Sequence, residues 1–186
     1  MHIILIGYRG TGKSAVGKKL AEKLQMPFYD MDELIETRTG RSIKETVAEN
    51  GWAYFRERER EIVREITAFQ RCIIATGGGA VMDEGNAAVL KKHGVLIWLS
   101  ADVKTIVGRI QGDLNSKERR PSFSQDDIIR ETEDVLKIRM PVYDRLADFS
   151  IDTTNKNIDE IVNGICQFLS RTDRFGKKES ACQEVP

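Results

Sequence analysis

A glycine-rich segment near the start of the chain constrains its fold more than any other feature. Residues 7–14 read GYRGTGKS; they follow the apolar run at residues 3–6 and precede a helical pattern of apolar residues. This order of strand, glycine loop and helix fits G-x-x-x-x-G-K-[ST], the phosphate-binding P-loop. Backbone N–H groups and the positive end of a helix dipole then converge on one point. The segment therefore predicts a site for a nucleoside triphosphate.

Composition and charge narrow the class of protein. The 186 residues suit one well-packed domain, and 40% hydrophobic with 31% charged residues is ordinary for a globular protein. The 29 basic and 29 acidic residues balance, which argues against a broad nucleic-acid-binding surface. No apolar stretch reaches the roughly 20 residues that span a bilayer, and no signal peptide is recognised. We therefore expect a cytoplasmic protein without nucleic-acid or membrane partners. We also expect a monomer, although composition does not determine the oligomeric state.

Apolar runs and helical patterns alternate along the chain. The runs predict strands near residues 2–6, 27–30, 72–75, 95–99 and 149–152. Helical patterns predict helices near residues 12–25, 31–50 (two short helices), 52–69, 83–93, 102–111, 124–147 and 157–170. Near-continuous apolar strands separated by helices are typical of a parallel sheet covered on both faces. We expect a three-layer α/β/α fold with a central five-stranded parallel sheet, in a single domain over residues 1–170, followed by a flexible tail over residues 171–186.

Three motifs fall where predicted strands end. The P-loop follows the first strand, Asp30 and Asp32 follow the second, and the glycines at 77–79 follow the third. Ligands of such sheets bind outside the carboxyl ends of the strands, so these motifs should form one site. Asp30 and Asp32 alternate along a segment expected to be extended, which points both carboxylates to the same side. Asp32 could instead cap a helix that begins at Met31, and the glycines could form only a tight turn rather than let N–H groups approach a ligand.

Two arginines lie on helix faces that are expected to pack inward. Arg56 lies three residues before Glu59, which is close enough to form an ion pair on the same helix. Arg139 continues the apolar stripe of a later helix, and Pro141 should end or kink that helix just beyond it. A cation on a core-facing stripe needs an anionic partner, either a protein carboxylate or a bound organic acid.

The segment over residues 112–123 has no apolar periodicity and contains Arg119, Arg120 and Pro121. Segments of this kind can close over a bound triphosphate and place an arginine beside it. We therefore expect a mobile lid here, with a solvated charged loop as the alternative.

Taken together, the motifs resemble those of the shikimate kinases. The matching segments are GYRGTGKS at 7–14, FYDMD at 28–32, SIKE at 42–45, FRERE at 55–59, IIATGGGAV at 73–81, RRP at 119–121 and RMPVY at 139–143. They lie in the family's order over residues 1 to about 170. The resemblance implies a P-loop fold like that of nucleoside monophosphate kinases. It also implies transfer of the ATP γ-phosphoryl group to the 3-hydroxyl of shikimate, on the route to chorismate and the aromatic amino acids.

The resemblance implies that one group of residues binds shikimate, within helices over about 31–60 and beyond. Asp32 would hold the substrate hydroxyls and act on the attacking one. The two arginines would clamp the carboxylate, and two glycines would touch the ring hydroxyls. The expected substrate-binding residues are Asp32, Arg56, Gly78, Gly79 and Arg139.

A second group would bind ATP and one Mg²⁺ ion. In the P-loop motif, Lys13 reaches the β- and γ-phosphates and Ser14 ligates Mg²⁺; the resemblance adds Asp30 as a support for the ion through water. The expected catalytic residues are Lys13, Asp32 and Arg120, the last as the lid arginine over the phosphates. The expected ATP-binding residues are Gly10, Thr11, Gly12, Lys13, Ser14, Ala15, Arg109, Arg120 and Lys156, with Arg109 and Lys156 flanking adenine.

Two other functions remain to be weighed. Another P-loop small-molecule kinase, such as a gluconate or nucleotide kinase, would share the ATP-binding part of the site. A pair of arginines that binds a carboxylate disfavours a neutral sugar as the acceptor. A GTPase switch would need N-K-x-D, whereas residues 155–159 read NKNID and miss that spacing by one position. It would also need D-x-x-G after the third strand, where ATGGG stands at 75–79.

Overall fold

A five-stranded parallel sheet forms the centre of the protein, whose computed structural model describes residues 1–112 and 125–172. The strands are β1 His2–Ile6, β2 Phe28–Asp30, β3 Ile73–Ala75, β4 Gly94–Ser100 and β5 Phe149–Asp152. They lie in the order β2-β3-β1-β4-β5, and every neighbouring pair is parallel. The predicted sheet is thereby confirmed, and β1 and β3 lie side by side, so that the segments that follow them meet at one edge.

Helices cover both faces of the sheet. Within the described residues the α-helices are α1 Lys13–Leu24, α2 Met31–Thr39, α3 Ile43–Ile66, α4 Glu84–His93, α5 Val103–Gly112, α6 Gln125–Leu146 and α7 Ile158–Arg171. Alternate residues of β1 point to opposite faces: Ile3 packs with α1 and α7, whereas Ile4 packs with α2, α3, α4 and α6. The three-layer prediction is confirmed. None of the described helices has the length and apolar character needed to cross a membrane.

One helix boundary differs from the sequence-based expectation, and one helix continues through a proline. The predicted break before residue 52 occurs at Gly51, whose φ of 79° interrupts α3, and this helix ends at Ile66 rather than at residue 69. Pro141 does not end α6, which continues to Leu146, close to the predicted end at residue 147. Beyond the proline, Tyr143 is fully buried and its hydroxyl donates to the Gly78 carbonyl. These tertiary contacts offset the hydrogen bond that a proline removes from a helix.

Two predicted segments fall mostly outside the described residues. The lid predicted over residues 112–123 is described only at Gly112, where α5 ends. The tail predicted over residues 171–186 is described only at Arg171 and Thr172. Both predictions therefore stay predictions.

Gly17 allows α1 to approach β2. A Cβ added at Gly17 would overlap the Phe28 ring of β2. The close approach matters for the site because α1 carries Ser14 and β2 ends in Asp30, and these two side chains form a hydrogen bond of 2.5 Å.

We expect Gly17→Ala to destabilise the protein by about 1–2 kcal/mol, because overpacking costs about 1–3 kcal/mol and exceeds the helix-propensity gain of about 0.5–1 kcal/mol. Gly108→Ala is the matched control: Gly108 also lies within a helix, and a Cβ there would contact nothing within 4 Å. It should stabilise the protein slightly. Urea denaturation measures both free energies of unfolding. Equal effects of the two substitutions would contradict the packing argument.

Candidate active site

The P-loop bends sharply between β1 and α1. A Cβ added at Gly7 would collide with the Leu99 carbonyl oxygen of β4, so only glycine fits there. Gly12 caps α1 with φ 92°, a left-handed conformation that glycine adopts without strain. Thr11 fixes the middle of the loop by donating its hydroxyl proton to the Tyr8 carbonyl at 2.7 Å. The loop thus directs the N-terminus of α1 at the carboxyl edge of the sheet, the arrangement that binds phosphate.

Lys13 lies over the P-loop. Its buried ammonium group donates to the carbonyls of Gly7 at 2.9 Å and Tyr8 at 2.8 Å. Burial lowers the pKa of Lys13 to about 8, although the charges of Asp32 and Asp30 oppose this shift. The ammonium group is therefore held by neutral acceptors beside the predicted phosphate site.

Asp30 connects the P-loop helix with the helix that follows β2. One carboxylate oxygen accepts from the Ser14 hydroxyl at 2.5 Å, and the other accepts from the Asp32 backbone N–H at 3.0 Å. The prediction that Asp30 and Asp32 alternate along an extended segment is wrong, because α2 begins at Met31 and Asp32 lies in its first turn. The helix cap is Asp30, not Asp32, since a carboxylate at this junction satisfies a free N–H group of the helix.

Arg56 is held by a buried carboxylate and by aromatic rings. Its Nη1 lies 2.7 Å from Oε2 of Glu59, so the predicted ion pair is present. Only 1% of the Glu59 surface is exposed; burial raises its pKa, while the charge of Arg56 opposes the rise. The Arg56 guanidinium also lies over Trp52 and Phe55, 5.6 and 5.3 Å from the ring centroids. A Cβ added at Gly79 would lie 2.7 Å from Arg56 Nη2, so the bare glycine leaves room for the guanidinium.

Arg139 reaches the same region from α6. Its Nη1 donates to the Gly78 carbonyl at 2.9 Å, and the Tyr143 hydroxyl donates to the same oxygen at 2.5 Å. The guanidinium carbon lies 5.6 Å from the centroid of the Tyr8 ring. A carbonyl and an aromatic ring, both neutral, thus hold the guanidinium group in this position.

The two arginines line one cleft at the carboxyl edge of the sheet. The cleft has a volume of about 340 Å³, within the range of sites for small molecules. All five residues predicted to bind the acceptor line it: Asp32, Arg56, Gly78, Gly79 and Arg139. Residues from β-strand ends and from two distant helices therefore converge beside the P-loop, as the sequence predicts.

Arg109 lies on the other side of the P-loop. Its guanidinium donates to the Gly10 carbonyl at 3.3 Å, and to the hydroxyl and carbonyl oxygens of Thr153 at 2.9 and 2.7 Å. Lys156 lies on the loop between β5 and α7, where its exposed ammonium donates to the Asp152 carbonyl at 2.8 Å. The structure thus places Arg109 against the P-loop, and Lys156 on the loop that supplies Thr153.

The remaining predicted nucleotide residues divide into two groups. Residues 10–15 form the P-loop and the first turn of α1. Arg120, together with Arg119 and Pro121, lies outside the described residues. The role of Arg120 as a lid arginine therefore stays a prediction.

Several residues of the site were missed by sequence reasoning. They are Tyr8, Arg9, Trp52, Tyr143 and Thr153. Tyr8 and Arg9 occupy variable positions of the P-loop motif. Because the P-loop and the glycines after the third strand were expected at one site, these two positions could have been predicted to line it. Tyr143 lies in the RMPVY segment that carried the resemblance but was given no role, and Thr153 gave no local signal, because its contacts come from residues far apart in the sequence.

Ser14 and Asp30 form a donor set that fits a magnesium ion. Within residues 1–112 and 125–172, no group of three or more His, Cys, Asp or Glu side chains could hold a metal by itself. Mg²⁺ needs no such cluster, because it usually takes one or two protein oxygens together with substrate phosphates and water. The Ser14 hydroxyl and the Asp30 carboxylate, 2.5 Å apart at the start of α1, supply hard oxygen ligands of this kind.

Comparison with known proteins agrees with this geometry. The family model described as shikimate kinase matches residues 9–170. The chain is 51% identical over 172 residues to a shikimate kinase from Syntrophus aciditrophicus (strain SB), with 88% of each chain covered. Shikimate kinase from Acinetobacter baumannii in complex with shikimate superposes with a TM-score of 0.84 at 32% identity, covering 91% of this chain and 92% of that one. The enzyme from Bacteroides thetaiotaomicron gives 0.83 at 29% identity, covering 91% and 98%. The chain therefore belongs to the shikimate kinase family, whose members use ATP.

Proposed function

We propose that this protein transfers the γ-phosphoryl group of ATP to the 3-hydroxyl of shikimate, which gives shikimate 3-phosphate and ADP. The observation that carries the proposal is the cleft in which Asp32, Arg56 and Arg139 lie together beside the P-loop. Guanidinium groups bind carboxylates through paired, charge-assisted hydrogen bonds. Two arginines that can bind a carboxylate lie beside Asp32, whose own carboxylate can accept hydrogen bonds from hydroxyl groups. This combination suits a hydroxylated organic acid. In biosynthesis the reaction lies on the route to chorismate and the aromatic amino acids.

The acceptor half of the site would work by positioning. Arg56 and Arg139 would clamp the carboxylate, and the backbone of Gly78 and Gly79 would contact ring hydroxyls. Asp32 would then accept the hydrogen bond of the attacking hydroxyl and orient it toward the γ-phosphorus. Phosphoryl transfer needs little covalent chemistry from the protein, so alignment and charge neutralisation supply most of the rate enhancement.

The nucleotide half would be built on the P-loop. Residues 10–15 would surround the phosphates with N–H groups. The ammonium group of Lys13 would donate to phosphate oxygens instead of to the carbonyls of Gly7 and Tyr8. Arg109 and Lys156 would flank the adenine. Arg120 would neutralise phosphate charge from a lid over residues 112–123, within a single kinase domain over residues 1–170.

Mg²⁺ would be held by Ser14 directly and by Asp30 through water. When bound, the ion would supply positive charge that neutralises negative charge on the phosphates. The contribution of the chain is geometric: the hydrogen bond from Ser14 to Asp30 holds both oxygens at the start of α1.

The protein would act as a monomer in the cytoplasm, without nucleic-acid or membrane partners. The residues proposed for both half-sites come from one chain, so no second copy is needed to complete them. The formal net charge of zero gives no broad positive surface for nucleic acids. Size-exclusion chromatography with light scattering measures the oligomeric state directly.

A coupled assay of ADP release tests the function. The purified protein is given MgATP and, in turn, shikimate, quinate, gluconate and nucleoside monophosphates. We expect shikimate to give the highest kcat/KM, because it offers both a carboxylate and ring hydroxyls. Higher kcat/KM with gluconate or with a nucleoside monophosphate would refute the proposal.

We expect Arg139→Ala to raise the KM for shikimate by about 10- to 100-fold, because a hydrogen bond to a charged group contributes about 1.5–3 kcal/mol. The KM for ATP should change by less than about threefold. Lys137→Ala is the matched control, since Lys137 lies two residues away with a side chain that is 72% exposed and pairs with Asp134. An equal loss of ATP affinity in Arg139→Ala would exclude its role as an acceptor clamp.

We expect ATP affinity to fall as the pH rises above about 8, the pKa to which burial lowers Lys13. Below this pH, Lys13 is charged in both the free protein and the complex. Above it, Lys13 loses its proton in the free protein, whereas the negative phosphates keep Lys13 protonated in the complex. The affinity for ATP therefore falls by up to about tenfold per pH unit. Calorimetric titration from pH 7 to 9.5 measures this change. In Lys13→Arg the cation stays protonated, and the slope should vanish; a flat wild-type profile would contradict the assignment.

A further inference from the structure

A third arginine lines the acceptor cleft, and neither proposed half-site includes it. Arg9 is the third residue of the P-loop segment GYRGTGKS. It lines the same cleft as Arg56 and Arg139. Its backbone packs against the glycine segment after β3, since a Cβ added at Gly78 would lie 3.3 Å from the Arg9 nitrogen. Arg9 therefore lies at the junction between the loop for the triphosphate and the cleft for the acceptor.

The polar contacts of Arg9 differ from those of the other two arginines. Arg56 pairs with the Glu59 carboxylate, and Arg139 donates to the Gly78 carbonyl. The Nε of Arg9 is buried, and among residues 1–112 and 125–172 it has no hydrogen-bond partner. Leaving a buried donor without an acceptor is unfavourable, more so for a charged group. The position of Arg9 is thus one where a bound acceptor atom would be stabilising.

The aromatic contacts of Arg9 also point to an anion. Its guanidinium carbon lies 5.5 Å from the centroid of the Tyr8 ring, and that of Arg139 lies 5.6 Å from the same centroid. Two guanidinium groups that share one ring repel each other. An anion bound in the cleft would relieve this repulsion and give both groups hydrogen-bond acceptors.

Arg58 provides an internal comparison. Its Nε is also buried without a hydrogen-bond partner, and its guanidinium lies 5.1 Å from the Tyr54 ring centroid. However, Nη2 of Arg58 pairs with Glu61 at 2.8 Å, and the residue lies outside the set that lines the cleft. Arg58 thus has its charge paired within the protein, and of the residues that the structure describes, only Arg9 combines an unsatisfied buried donor with a place in the cleft.

We propose that Arg9 is a further substrate-binding residue that holds the acceptor acid and, more strongly, its phosphorylated product. The inference rests on the proposed function. Phosphorylation adds about 1.5–2 negative charges to the acceptor, and it adds them on the side that faces the P-loop, where Arg9 lies. Arg56 and Arg139 would bind the carboxylate, which leaves Arg9 to bind the new phosphate group.

Calorimetric titrations of the full chain with shikimate, shikimate 3-phosphate and ADP test this role. We expect Arg9→Met to weaken shikimate binding by about tenfold and shikimate 3-phosphate binding by about 100-fold, since charge-assisted hydrogen bonds are about twice as strong as neutral ones. ADP binding should change by less than about threefold. Arg9→Lys keeps the charge and should fall between wild type and Arg9→Met for both acids. Arg58→Met is the matched control and should leave all three affinities unchanged.

Three results would overturn the inference. They are unchanged affinity for both acids in Arg9→Met, an equal loss for shikimate and its phosphate, and a loss for ADP as large as that for the acids, which would indicate a disrupted loop. The proposed function fails separately, if the wild-type protein with MgATP does not phosphorylate shikimate. If wild-type protein phosphorylates shikimate while Arg9→Met binds both acids normally, only the role of Arg9 is refuted.

Discussion

The carboxylate of Asp30 holds the two halves of the site at a fixed distance. One of its oxygens accepts from Ser14 on α1, and the other accepts from the backbone of Asp32 on α2. Both hydrogen bonds use the negative charge, which makes them stronger than neutral ones. Since α1 begins at the P-loop and α2 carries Asp32 into the cleft, the separation of phosphate site and acceptor site depends on this group. Gly17 makes the bridge possible, because any side chain there would separate α1 from β2.

The glycines after β3 also leave space for neighbouring charged side chains, which the sequence alone does not show. We expected them to let backbone N–H groups approach a ligand. In the structure they also leave space for charged side chains: a Cβ at Gly77 would lie 2.8 Å from Asp32 and 3.0 Å from Glu59, and one at Gly79 would lie 2.7 Å from Arg56. Burial of Glu59 raises its pKa and would favour its neutral form, but Arg56 opposes this. The glycines thus permit a buried ion pair that orients one arginine toward the cleft.

Features set by local rules could be predicted from the sequence, and features set by tertiary contacts could not. The order of strands and helices and the pairing of Arg56 with Glu59 follow from periodicity and helical spacing. The extended conformation expected at Asp32 was wrong because Asp30 caps a helix that begins at Met31, where a helix start was also predicted. Pro141 did not end its helix, because Tyr143 packs in the core beyond it. The cap at Asp30 is itself a local signal that was overlooked, whereas at Pro141 a contact between distant segments offsets a local preference.

The two half-sites are also coupled through charge. Burial, the largest influence on Lys13, lowers its pKa; the charges of Asp32 and Asp30 raise it, and the nearby charge of Arg139 has a smaller lowering effect. An acid bound to Arg139 would neutralise that charge and remove the repulsion, so the ammonium group of Lys13 would be held more firmly in its charged form. Phosphates bound to Lys13 would in turn reduce the repulsion felt by Arg139. Because Lys13 and Arg139 lie in a partly buried site, solvent screens this coupling less than it would at the surface. The positive charges of Lys13 and Arg139 therefore favour the binding of one anion at each of the two half-sites.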